Sequence, residues 1–177
     1  MARLLVPDRS IALVGLMGSG KTSVGRRLAA RLGLPFVDSD EEIERAAGRS
    51  VADIFESYGE PEFRDLERRV LARLLSGAPQ VIGTGGGAFI DDQTRALMRE
   101  RCTSIWLRAE IATLVKRVRG NDRRPLLKDK DPETVLTALA AARGPIYAEA
   151  DIIIASGDRA HDVTVAKIVE ALAALHD

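Results

Sequence analysis

The sequence predicts an α/β protein with a parallel sheet covered by helices on both faces. Three observations carry this. Short apolar runs alternate with amphipathic stretches along the chain, a glycine-rich loop joins the first such pair without a gap, and 177 residues suit a single domain.

Ile11-Ala12-Leu13-Val14 is apolar on every residue and ends at Gly15, as expected of a central strand buried on both faces. From Lys21 to Leu32, Val24, Leu28 and Leu32 recur at four-residue spacing among arginines, which predicts an amphipathic helix stopped by Gly33 and Pro35. Phe36-Val37 is the second strand, delivering Asp38, Ser39 and Asp40 at its carboxyl end, where open α/β sheets bind ligands. Ser50 with Asp53 reads as a helix N-cap, and Gly59-Glu60-Pro61 breaks that helix before another starts with proline in its first turn. In this second helix Phe63, Leu66, Val70 and Leu74 form the apolar stripe, leaving Arg64 and Glu67 one turn apart on an adjoining face. Val81-Ile82 is a third strand running into Gly83-Thr84-Gly85-Gly86-Gly87, and Thr103 to Leu107 is a fourth. A helix from about Ile111 to Val118, a helix ending at Gly144-Pro145, a fifth strand at Ile152-Ile153-Ile154 and a C-terminal helix complete the alternation.

Composition excludes several function classes. The 26 basic residues balance 26 acidic ones and aromatics make up only 4%, so neither long-range attraction to phosphate polymers nor stacking platforms favour nucleic acid as a partner. Cys102 is the only cysteine, and His161 and His176 lie far from it, so there is no disulfide framework or zinc spacing. Cys102 and Trp106 read as structural, Trp106 in the core of a strand, and both histidines as surface residues. Charged residues interrupt every apolar run, and residues 1–10 show no cleavage pattern, so a cytoplasmic protein away from membranes is expected. Between Lys116 and Lys130 seven basic residues face two acidic ones, and from Gly120 to Asp131 there is no apolar periodicity. This stretch reads as a mobile loop that concentrates positive charge on an otherwise neutral chain.

Gly15-Leu16-Met17-Gly18-Ser19-Gly20-Lys21-Thr22 matches the phosphate-binding loop pattern in full, between a predicted strand and a predicted helix. In such a loop the backbone N–H groups and the helix N-terminus hold phosphate oxygens, Lys21 reaches the β- and γ-phosphates, and the Thr22 hydroxyl ligates Mg²⁺. Asp38, ending a hydrophobic strand, stands where a carboxylate holds the same ion directly or through water. Asp40 has two readings: a carboxylate that accepts an alcohol's proton as the alcohol attacks phosphorus, or the N-cap of a helix starting near Glu41. Arg143 also has two, a ligand for an anion or a complement to a helix C-terminus.

Taken in order and spacing, several motifs resemble the shikimate kinases, P-loop enzymes of the nucleoside-monophosphate-kinase type. They are Gly15 to Thr22, Asp38-Ser39-Asp40, Gly48 to Phe55, Glu62-Phe63-Arg64, Gly85-Gly86-Gly87, Arg124-Pro125-Leu126-Leu127 and Arg143-Gly144-Pro145-Ile146-Tyr147. The likeness runs from Ile11 to the C-terminal helix. It implies a three-layer P-loop kinase fold with strand order 2-3-1-4-5, one domain over residues 1–177, a substrate-binding segment at 33–64 and a lid at 117–131. It also implies the reaction, transfer of the γ-phosphoryl group of ATP to the 3-hydroxyl of shikimate with Mg²⁺, in aromatic amino acid biosynthesis, by a monomer.

The resemblance assigns roles residue by residue. Gly18, Ser19, Gly20, Lys21, Thr22 and Ser23 would bind nucleotide, with Arg117 stacking on adenine and Arg124, chosen over Arg123 because it precedes Pro125, reaching the transferring phosphate. Asp40 would bind the reacting hydroxyl, Arg64 and Arg143 the carboxylate, and the Gly85, Gly86 and Gly87 amides would lie against the ring, with Glu67 orienting Arg64. Catalysis would rest on Asp40, Lys21 and Arg124, and the metal on Thr22 and Asp38. Two rivals stay open on the residues alone: another small P-loop kinase acting on gluconate or a nucleoside monophosphate, and a nucleotide-dependent switch. The Asn-Lys-x-Asp sequence typical of guanine-binding switches is absent.

Overall fold

The computed structural model describes residues 7–119, 127, 129–157 and 159–176. Five parallel strands, β1 (Ser10–Val14), β2 (Phe36–Asp38), β3 (Val81–Gly83), β4 (Cys102–Arg108) and β5 (Ile152–Ala155), lie in the order β2-β3-β1-β4-β5. This is the order the resemblance implied. β1 is buried along its whole length because it pairs on both sides, Ile11 opposite Val81 of β3 and opposite Thr103 of β4.

Alternation along the strands divides the core into two layers. Ala12, Val14 and Ile82 face one side, where they meet Leu71, Met98, Leu114, Leu136 and Tyr147. Ile11, Leu13, Val81 and Ile105 face the other and meet Val24, Leu28, Val165 and Ile168. The helix α1 (Lys21–Leu32) and the helix α7 (His161–Leu175) supply this second layer. Each fully buried side chain such as Leu28 contributes about 1.5–3 kcal/mol by leaving water.

A smaller cluster of Ile43, Ile54, Phe63 and Val70 holds α2 (Ser39–Ala47) against α3 (Val51–Leu75). α3 is two helices meeting at Gly59, whose φ of 81° and ψ of 172° are open to glycine and strained for other residues. Ser50 caps its start by accepting from the Asp53 N–H, as its sequence position predicted. Pro61 follows the break, so the missing N–H falls in a first turn that needs no intrahelical partner.

Four elements depart from the sequence reading. α2 begins at Ser39, and its cap is Asp38, whose Oδ1 accepts from the N–H groups of Asp40 and Glu41. The capping alternative for Asp40 is thereby overturned. The helix carrying Arg143 is α6 (Pro132–Tyr147), which continues through Gly144 and Pro145 rather than ending there. Pro145 removes one hydrogen bond, but the Ala148 N–H still reaches the Gly144 carbonyl, and burial of Tyr147 against Trp106 and Phe89 favours the extra turn. After β3 the chain makes one 3-10 turn (Ala88–Ile90) and then α4 (Asp92–Arg101), neither of which the apolar pattern disclosed. α4 is mostly polar and buries little beyond Thr94 and Met98, so its periodicity is weak. The remaining helix, α5 (Ile111–Val118), lies where it was predicted.

Candidate active site

β1, β2 and β3 all end at one edge of the sheet, so the loops that follow them converge. After β1, residues 15–20 wrap ahead of α1, and three positive-φ glycines, Gly15, Gly18 and Gly20, make the wrap possible. The Lys21 amine donates to the carbonyls of Gly15 at 2.6 Å and Leu16 at 3.0 Å, which holds its positive charge over the loop. Ser23 lies in the first turn of α1, whose N–H groups point the same way. The Thr22 hydroxyl donates to Asp38 Oδ2 at 3.4 Å, joining the end of β2 to the start of α1. Asp38 therefore has one oxygen on the cap of α2 and the other toward Thr22.

The second half of the site lies beside the first. Gly85, Gly86 and Gly87 follow β3, and each is matched by one charged side chain. A Cβ on Gly85 would come within 2.7 Å of Asp40 Oδ1, and one on Gly87 would collide with the Arg64 guanidinium, 2.7 Å from its central carbon. Arg143 donates to the Gly86 carbonyl at 3.2 Å. The Gly85 N–H donates to Ser39 Oγ, which fixes the glycine run against the start of α2. Two guanidinium groups and a carboxylate from α2, α3 and α6 thus converge on three residues that carry no side chain.

Burial sets the charge balance here. The Asp40 carboxyl is raised to about 6, first by burial and next by Asp38, against the pull of Lys21 and, more weakly, Arg64. Glu67 is fully buried beneath Arg64, and Oε1 accepts from Arg64 Nη1 at 2.8 Å. Burial outweighs that attraction and raises Glu67 to about 7, while its Oε2 has no partner among the described residues. The resemblance implied that Glu67 orients Arg64, and the short bond provides the means.

The sequence reading missed two residues at this edge. The Tyr147 hydroxyl donates to the same Gly86 carbonyl as Arg143, pinning the middle glycine from α6. Only the arrival of α6 over β3 puts Tyr147 there, although a large polar-tipped ring one turn after Arg143 was a usable signal. His161, expected at the surface, is half-buried where α7 starts. Its ring lies 3.7 Å from a Cβ placed on Gly20, and burial followed by Arg27 and Arg117 lowers its basicity. Arg117 donates to the carbonyls of Gly18 at 3.0 Å and Gly157 at 2.8 Å, bridging the phosphate loop to the segment after β5.

Arg124 and its neighbour Arg123, expected to reach the transferring phosphate, lie outside the described residues, as does most of the middle of the expected lid. Cys102 is structural as expected, being buried, with its thiol donating to the Met98 carbonyl and held up at about 12 by burial. Trp106 lies in β4 but is only partly buried, with its ring 5.7 Å from that of Tyr147.

A sequence model of the family described as shikimate kinase matches residues 17–173, a span that holds most of the phosphate loop, Asp40, Arg64, the glycine run and Arg143. The chain belongs to the shikimate kinase family. Among relatives, the shikimate kinase of Caulobacter vibrioides is 56% identical over 168 residues, covering 95% of this chain and 84% of that one. The shikimate kinase of Paramagnetospirillum magneticum is also 56% identical, over 164 residues, covering 93% and 84%. A solved structure, shikimate kinase from Acinetobacter baumannii in complex with shikimate, superposes with a TM-score of 0.91 at 38% identity, covering 96% of this chain and 95% of that one. For a shikimate kinase the pairing of a phosphate loop with a two-arginine, one-carboxylate pocket is chemically consistent, since the ring carries one acid and several alcohols.

Proposed function

We propose that this shikimate kinase family member transfers the γ-phosphoryl group of ATP to the 3-hydroxyl of shikimate, giving ADP and shikimate 3-phosphate. The observation that carries the reading is the convergence of Asp40, Arg64 and Arg143 on Gly85, Gly86 and Gly87 beside the phosphate loop. Arg64 and Arg143 bind the shikimate carboxylate, and the bare glycine backbone leaves room for the ring. Asp40 accepts a hydrogen bond from the 3-hydroxyl. As that oxygen attacks the γ-phosphorus, the bond from phosphorus to the β–γ bridging oxygen breaks, ADP leaves, and the hydroxyl proton passes to Asp40. A carboxyl raised to about 6 is ionised at neutral pH yet basic enough for this step.

Gly18, Ser19, Gly20, Lys21, Thr22 and Ser23 hold the phosphates, with Arg117 along the base. Thr22 Oγ1 and Asp38 Oδ2 are two hard oxygen donors 3.4 Å apart, and among the described residues no three His, Cys, Asp or Glu side chains form a metal cage. That sparse donor set suits Mg²⁺, which takes one or two protein oxygens and completes its shell with phosphates and water. When bound, the ion neutralises charge on the β- and γ-phosphates. Arg124, within a lid at 117–131, closes over the transferring group by the family likeness, and 33–64 forms the acceptor segment of a single domain over 1–177. The protein acts as a cytoplasmic monomer in chorismate and aromatic amino acid synthesis. Among the described residues, no helix is long and apolar enough to cross a membrane.

The deciding assay follows ADP release and phosphorylated shikimate together, with and without shikimate. Shikimate-dependent ADP release in equal amount to shikimate 3-phosphate supports the proposal. Hydrolysis of ATP that shikimate leaves unchanged overturns it.

A further inference from the structure

Beside the phosphate loop, between the end of β4, α5 and α6, the structure holds a cavity of about 210 Å³. Its described walls come from the loop itself (Leu16, Ser19), the end of β4 (Trp106 to Ala109), α5 (Leu114) and α6 (Ala140, Gly144, Tyr147). The walls are mainly apolar, with the Trp106 and Tyr147 rings among them. Two polar side chains break that pattern: Arg108 is exposed, its guanidinium 5.8 Å from the centre of the Trp106 ring, whereas Ser19 is 1% exposed and its hydroxyl has no partner among the described residues. On α6, a Cβ on Gly144 would meet nothing within 4 Å, so the helix leaves space beside this wall.

The space is partly open and its walls offer water few polar partners, so an apolar group displaces water from it favourably. The volume here holds a ring with one substituent. We propose that this cavity is a binding site for a small, uncharged aromatic molecule carrying one hydroxyl or carbonyl, which pairs with the Ser19 hydroxyl while its ring packs against Trp106 and Tyr147. Ser19 lies between Gly18 and Gly20, and its carbonyl accepts from Ser156 Oγ, so an occupant touches the nucleotide-holding loop. The site is independent of the identity of the phosphoryl acceptor.

The test uses para-fluorophenol and the full chain, whose only tryptophan is Trp106. The expected result is a saturable change in Trp106 emission with matching broadening of the fluorine resonance, at a Kd on the order of 1 mM for so small a ligand. Gly144→Leu and Ala140→Leu each place bulk at the α6 wall and should weaken binding at least tenfold; two variants are used so that a folding defect in one leaves the other decisive. Fluorobenzene, lacking the hydroxyl, should bind several-fold more weakly than the phenol to the unaltered chain and equally well to Ser19→Ala. Signals that do not saturate, affinity unchanged in both wall variants, or competitive displacement by shikimate would each overturn the proposal.

Discussion

Gly87→Ala isolates the role of the bare glycine backbone. Gly87 has φ −102° and ψ −2°, which alanine adopts, so the substitution adds one methyl group without straining the chain. That methyl would lie 2.7 Å from the central carbon of Arg64 and 2.8 Å from Nη1, and closer still to Nη2. Ordinary contact begins near 3.4 Å, so the guanidinium must retreat by roughly an ångström. Its 2.8 Å bond to Glu67 restricts where it can go, and the fully buried Glu67 cannot follow. A displacement of that size at a positioning group costs on the order of 100-fold in rate, equivalent to about 2.7 kcal/mol. Steady-state kinetics should therefore show kcat/KM for shikimate down by about 100-fold, mostly through KM, with KM for ATP within about twofold of the parent. A variant that folds normally and keeps its KM for shikimate would refute the assignment of Arg64 to the carboxylate.

Asp40→Asn should lower kcat by about 10²- to 10⁴-fold; the parent kcat/KM, measured from pH 5 to 8, should show an acid limb near pH 6 that the variant lacks. Glu67 has a folded-state pKa of about 7 against 4.5 ordinarily, so its contribution to stability is full below about 4.5 and is lost as pH rises through about 7. Glu67→Gln removes that loss, and thermal unfolding should show its Tm gaining on the parent's from about pH 5 to pH 7 and the difference levelling off above that. Arg117→Ala removes two bonds to the Gly18 and Gly157 carbonyls and should raise KM for ATP by roughly 10-fold, with KM for shikimate little changed. The basicity of His161 is lowered by burial and by Arg27 and Arg117, so proton NMR should find it titrating below the usual histidine range.

Much of the fold was legible because its signals are local. The phosphate loop needs glycines, a lysine and a hydroxyl at fixed spacing, and α1 ends where Gly33 adopts a left-handed turn. The Gly59-Glu60-Pro61 break and the Ser50 cap were readable for the same reason. α4 was hidden because it buries few residues, although Asp91 accepting from the Thr94 N–H is the kind of cap a sequence can disclose. The end of α6 was misplaced because tertiary burial of Tyr147 outweighed the local preference of Gly144-Pro145 to stop a helix.

The candidate site divides along the same line. Asp38 and Asp40 were separable as two roles in sequence, but which of them caps α2 depended on the register between β2 and its helix. The amino-acid order by itself determined the phosphate loop, the strand and helix types and the family likeness, since each rests on neighbours within a few residues. Tertiary structure alone decided that Arg64, Arg143 and Tyr147 meet over one glycine run, that burial lifts Asp40 and Glu67 toward neutrality, and that Ser19 faces a cavity. Those properties depend on distances and on exclusion of water between segments far apart in the chain, which no local pattern encodes.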